Sequence, residues 1–319
     1  MTRSPTRTPT RAPTRAAAAG LIALAVLALA ADLVASDLPI LLRYRGHTYV
    51  LPCITHPNAL KDLDNRTLAA TMGPDDWALF PPLAQGPTSS DRAGGLARLQ
   101  APSSAHPLGT DDTGRDVAAR LIHGARLSLL IGLLAAAVAA ALGLALGLAS
   151  AASRPLDLAL TRATTTMIAL PALILLLAAR GLGDSPADLV ALAAVIGALR
   201  AAHVARPVRA EALRIAASDH VLAARALGAP PLRIATRHIL PHVLPTALTQ
   251  ATLAFAHAIA LEATLSFLGA GIRPPAPSWG ELLRQAHLHL TPWLVLAPGL
   301  LLAGVIAAAH TLAQHFTKR

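Results

Sequence analysis

Long apolar runs alternate with short polar segments along this chain. Residues Ala16 to Ala31 carry no charge, and the apolar character continues past Asp32 to Ala35. About 20 residues at 1.5 Å rise reach across a hydrocarbon core of roughly 30 Å, so a first membrane-spanning helix is expected over 16–36. A cleaved signal peptide is the rival reading, because Ala28-Leu29-Ala30 has the look of a small-residue cleavage site. Further apolar runs cover Leu127 to Ser153, Ala163 to Ala179, Leu189 to Ala205, Ile239 to Leu261 and Leu290 to Ala309; the third is interrupted by Arg200 and His203. Six spanning helices follow, and with them an all-α polytopic membrane protein.

The polar stretches complete the plan. Residues 1–15 repeat Thr, Pro and Arg, with Arg3, Arg7, Arg11 and Arg15 four apart, and read as a disordered basic tail because proline opposes helix. Residues 37–120 contain many Asp, Arg and Pro and no spanning run, which makes them a sizeable aqueous segment inserted between the first helix and a five-helix core over 121–319. Alternation from Leu41 to Val50 around Gly46 predicts a small hairpin, and Gly86 to Pro107 reads as loop. Arg154, then Arg206, Arg209, Arg214, Arg225, Arg233 and Arg237, and finally Lys318 and Arg319, gather in loops on one side. The positive-inside rule makes that side cytoplasmic, with both termini inside and the inserted segment outside.

Composition agrees with the pattern. The chain has 319 residues, 54% hydrophobic and 14% charged, well below the charge of about 25% in soluble domains. That excludes an ordinary soluble enzyme. Net charge of +10 could suit a nucleic acid, but only 3% of residues are aromatic and the arginines cluster between apolar runs, so the charge reports topology. Single Cys53 rules out an intrachain disulfide. Thirteen histidines invite a metal reading, yet His287 and His289 do not share a helix face and no carboxylate or Cys cluster accompanies them, so no metal site is expected. No Gly-x-x-x-x-Gly-Lys loop is present to hydrolyse ATP, and Ser128, Ser266 and Ser278 lie in no Gly-x-Ser-x-Gly elbow.

Residues 218–241 are too polar to span. Ser218 or Asp219 can cap a short helix, Val221, Ala224 and Arg225 give it one face, and Gly228 suits its C-terminal turn; Pro230 and Pro231 then start a second short helix. A plain amphipathic connector is one reading of this segment. Ala223-Ala224-Arg225-Ala226-Leu227-Gly228, followed by His238-Ile239-Leu240-Pro241, resembles the EAA loop of ABC-importer permeases: Glu-Ala-Ala, three residues, Gly, nine residues, then Ile-x-Leu-Pro. Leu222 replaces the Glu and His238 the first Ile. Gly109-Thr110-Asp111-Asp112-Thr113-Gly114-Arg115-Asp116 and Glu262-Ala263-Thr264-Leu265-Ser266-Phe267-Leu268-Gly269, with Pro274 to Gly280, resemble segments of the C-type permease of dipeptide, oligopeptide and nickel importers. Leu38 to Val50 more loosely resembles the outer segment of the microcin C and long-peptide subgroup.

The resemblance implies a type I importer permease fold and a coupling loop over 207–241. Its short helix, with Asp219, Val221, Leu222, Ala223, Ala224, Arg225 and Gly228, would dock in a groove of the ATPase. It implies as partners a second, B-type permease, two ABC ATPases and a periplasmic or lipid-anchored solute-binding protein, in the bacterial inner membrane. ATP would be bound by the partners and no cofactor by this chain. Peptide is the expected solute; nickel, opines and glycosides use the same architecture. An intramembrane enzyme is the alternative from another class, but Asp157, Arg200 and Glu262 are not paired by local spacing. Arg200 and Glu262 are instead candidates for the translocation path, Arg200 as an attractor of solute carboxylates or, more plainly, as a side chain snorkelling near a helix end.

Overall fold

The computed structural model describes residues 11–60, 63–90, 98–180 and 188–317. Arg3, Arg7, Lys318 and Arg319 lie outside them. Helix α1 (Arg11–Leu29) begins within the segment expected to be disordered. Pro13 falls in its first turn, where the missing N–H would be unbonded anyway, so proline there does not oppose helix. The apolar part, Pro13–Leu29, covers only about 26 Å. Beyond a break at Ala30, Arg126 closes the helix end: its Nε donates to Ala28 O at 3.0 Å, and Nη2 to Leu29 O at 3.1 Å and to Asp32 at 2.9 Å.

The inserted segment is more than a hairpin and loop. Strands β1 (Leu41–Tyr44) and β2 (His47–Val50) pair antiparallel, Leu41 opposite Val50, around a turn at Arg45 and Gly46, which both have positive φ. Helix α2 (Asn65–Thr71) follows, with Asp64 and Thr67 exchanging bonds in a capping box; the Thr67 N–H holds the Asp64 carboxyl below its ordinary pKa. Strand β3 (Trp77–Leu79) adds to the other edge of β1, giving the order β2-β1-β3. Leu38, Leu42, Tyr44, Cys53, Leu60 and Leu68 close a separate small core, and burial pushes the Cys53 thiol up. These residues are scattered in sequence, so no periodicity announces them.

Four helical stretches are long and apolar enough to cross a bilayer singly: α3 (Val117–Ser150), most of α6 (Asp188–Ala216), the stretch Pro231–Phe267, and α10 (Pro292–Thr317). The run expected to be one helix over Ala163 to Ala179 is bent by 79° between α4 (Arg154–Ala169) and α5 (Ala172–Arg180); counted together they make a fifth. Pro171 is the cause, since it holds Leu170 extended at φ −78° and ψ 131°. Helix α3 packs along α6. A side chain at Gly143 or Gly147 would collide with Val204 or Val208, so two small residues one turn apart set this close approach.

Later in the chain lie α7 (Asp219–Ala226) and, after the stretch ending in α8 (Leu240–Phe267), α9 (Trp279–His289) in the loop before α10. The outer end is tied by charge. Asp111 accepts from the N–H groups of Thr113 and Arg115, the Thr113 hydroxyl and Arg115 Nε, all within 2.9 Å. Asp116 caps α3 through Ala119 N at 2.8 Å and meets His106 Nδ1 at 2.9 Å. Arg120, fully buried, lies 3.4 Å from Asp111 and donates to Pro87 O in the insertion and Pro275 O before α9, at 2.9 and 3.3 Å. One guanidinium thus joins three segments.

Arg120→Met should therefore leave Asp111 underpaired and cost about 3 kcal/mol. The measurement is limited proteolysis of the membrane-embedded chain, in which cleavage within 37–115 is expected to accelerate while the core stays intact; unchanged cleavage would show that the tie does not hold the insertion.

Candidate functional site

The loop between α6 and α8 is where the motif residues meet. Ser218 occupies the N-cap of α7 with extended backbone, but its hydroxyl donates to Ile215 O at 2.5 Å instead of capping; Asp219 supplies the acid of the first turn. At the other end Ala229 N bonds Ala224 O and Gly228 N bonds Arg225 O, with Gly228 at φ +77°. This is a Schellman turn, and it needs the left-handed residue that glycine supplies.

Burial divides α7 into two faces. Val221 is wholly buried against Ile215, Ile234, Ile239 and Val243. Leu222, Ala223, Arg225, Ala226 and Leu227 face outward, and Ala224 is half-buried. Leu227 is 89% exposed and Leu232, just beyond the turn, 75%. A soluble surface rarely displays such leucines beside arginines unless a partner covers them. The segment after Pro231 is not a separate short helix. It runs through a π turn, Ile234–Ile239, with Leu240 N bonding back to Ala235 O, straight into α8. Only the turn 227–230 therefore separates α7 from the stretch that continues into a spanning helix.

A bidentate pair braces the same end, with both carboxylate oxygens of Asp157 accepting from Arg209 and thereby locking α4 to α6. His220 of α7 also sits 5.6 Å from His242 and 6.4 Å from His238, ring to ring. Among the described residues no group of three His, Cys, Asp or Glu side chains is arranged to hold a metal.

The two path candidates part company. Glu262 is wholly buried and accepts from Ser266 at 2.8 Å, Ser278 at 2.9 Å and Ser128 at 3.3 Å, joining α3, α8 and the start of α9. It faces the interior of this chain, so its reading as a path residue is corrected: it is an internal joint. Trp279, fully buried, donates from Nε1 to Leu121 O at 3.0 Å and is a core residue. Sequence could not distinguish these, because the apolar run does not say which way residue 262 faces. Arg200 is different. It is half-buried on α6, near mid-helix instead of the end, and its Nε has no hydrogen-bond partner.

Residues 124–319 match the family of binding-protein-dependent transport system inner membrane components, and the chain belongs to that family. It is 43% identical over 208 residues to a protein of Brucella suis biovar 1 named as a peptide transport system permease, covering 64% of this chain and 69% of that one. It is 37% identical to the dipeptide transport system permease protein DppC of Alkalihalophilus pseudofirmus, covering 70% and 73%. The MetNI methionine ABC transporter, solved in inward-facing conformations, shares the fold with a TM-score of 0.54 at 20% identity, over 62% of this chain and 95% of that one.

Gly228→Val meets no neighbour within 4 Å, so its effect is backbone strain alone. It should cost about 1–2 kcal/mol at the turn. The expected result is faster protease cleavage or amide exchange at 218–230 with the rest of the chain protected; equal protection in variant and parent would refute the turn assignment.

Proposed function

We propose that this chain is one of two permease subunits in an importer of peptides, driven by ATP hydrolysis in partner subunits and fed by a solute-binding protein outside. The observation that carries this reading is α7: exposed Leu222, Arg225 and Leu227, held from behind by Val221 and joined by the four-residue turn 227–230 to the helical stretch that becomes α8. A small apolar and basic helix face of this kind suits a groove in a soluble partner, and peptide transport is the function named for the relatives. Coupling residues are Asp219, Val221, Leu222, Ala223, Ala224, Arg225 and Gly228. The basic residues around α7 support a cytoplasmic side for α7 and both termini, with the insertion outside. No cofactor of its own is required, because the energy arrives mechanically through α7.

Val221 and Leu227 have opposite tasks. Leu227→Glu puts a charge on the docking face and should reduce recovery of the ATPase with the permease by about tenfold or more while leaving the chain folded. Val221→Ala keeps the face but loosens its seat by about 1 kcal/mol; ATPase recovery should persist while uptake per ATP hydrolysed falls. Quantitative co-purification and peptide uptake in reconstituted vesicles measure both. Full ATPase recovery with Leu227→Glu, or uptake indifferent to ATP, would refute the proposal.

A further inference from the structure

Helix α8 carries a polar stripe through the membrane. His242, Thr246, Gln250, His257 and Thr264 are spaced four, four, seven and seven apart, and at 100° per residue they fall within an arc of about 80°. All five are half-buried or exposed. The opposite side presents Leu244 and Leu248, which are 43% and 46% exposed and suit lipid. Beside the stripe, α6 brings Arg200 and, one turn on, His203; α10 brings His310, whose ring lies 6.1 Å from that of His257. Arg200 and His257 are within electrostatic reach of each other, and both lie about 15–18 Å from the outer ends of their helices.

Arg200 Nε and His203 Nδ1 are buried without hydrogen-bond partners, and among the described residues no carboxylate pairs with Arg200. A guanidinium facing hydrocarbon would cost about 2.5–3.5 kcal/mol even on the lowest scales, so this face is turned to water or protein and not to lipid. His257 Nδ1 bonds Leu253 O at 2.7 Å, which leaves Nε2 as the group directed outward. The face therefore offers one uncompensated positive charge flanked by imidazoles, halfway along an otherwise neutral polar track.

We propose that the α8 stripe lines the solute path and that Arg200 is an intermediate binding site for a carboxylate of the solute. The site rests on the importer reading above, and deepens it by naming the chemical group that is recognised. Arginine suits a carboxylate because its planar fork donates two parallel hydrogen bonds. Such a site must hold the anion and also release it, which a single partly exposed arginine does and a sealed pair would not.

The test has two arms in the assembled transporter. In the first, Ala260→Cys, on the stripe one turn from His257, is reacted with small anionic and cationic thiol reagents, with Leu248→Cys on the lipid side and the parent chain with its buried Cys53 as controls. The anionic reagent should be favoured at the thiol introduced at position 260, and Arg200→Gln should lower the anionic-to-cationic rate ratio by about fivefold, while Arg200→Lys keeps it. An unreactive Ala260→Cys, or a ratio indifferent to Arg200→Gln, overturns the proposal. In the second arm, uptake of Ala-Glu-Ala and Ala-Gln-Ala is compared at equal saturation of the binding protein. Arg200→Gln should depress the acidic tripeptide several-fold more than the neutral one. An equal loss for both, or loss of subunit assembly, would assign Arg200 to a carboxylate of the neighbouring permease and overturn the site. If the parent transporter carried neither tripeptide while the reagent ratio still shifted, the peptide reading would fail and the anion site would stand.

Discussion

Hydrocarbon tolerates a charged or polar side chain only where protein or water satisfies it, and the spanning helices meet that constraint in two opposite ways. Arg120 and Glu262 are sealed. Each is fully buried, each contacts three separate segments, and each converts the cost of burial into a fixed angle between helices and outer loops. Arg200 is only half-buried and His257 exposed instead, and Arg200 has no carboxylate partner among the described residues. Sealed joints make the outer half of the molecule rigid, and an open track needs rigid walls.

The inner half is built for movement. Its short helix α7 is anchored by one buried residue, Val221, and one left-handed glycine, Gly228, while its leucines face out. In the proposed mechanism a push on α7 passes through the turn 227–230 and the π turn into α8, the helix that carries the polar stripe, while Glu262, bonded to Ser278, holds the far end of that helix. Fold, coupling element and track are three views of one helix under load.

Much of this is legible in the sequence, for definable reasons. Long uncharged runs mark the apolar helices and their order but not the number of spans: the pattern predicts six, and among the described residues four are long and apolar enough to cross singly and a fifth only as a bent pair, the first run being a shorter apolar helix. Gly228 and the residues before it can be placed because a Schellman turn has a fixed spacing. Other features are hidden by the same averaging that makes the runs visible. A run does not say where its residues face, so the pattern offers Glu262 as a path residue when it is an internal joint, and the stripe from His242 to Thr264 disappears within an apolar segment. Pro171 is averaged into its run in the same way, although it breaks the helix there. The small outer core of Leu38, Leu42, Cys53, Leu60 and Leu68 depends on contacts between distant positions that no local pattern encodes.

The central claim is that nucleotide events at α7 open and close the track along α8. Thr246→Cys near the inner end and Thr264→Cys near the outer end, each labelled by membrane-impermeant thiol reagents from its own side, test it directly in the assembled transporter. Trapping the ATPase in its closed state should protect the thiol at position 246 from the inside and expose the thiol at position 264 from the outside, reversing when nucleotide is removed. Labelling of both positions that ignores nucleotide state would contradict the account.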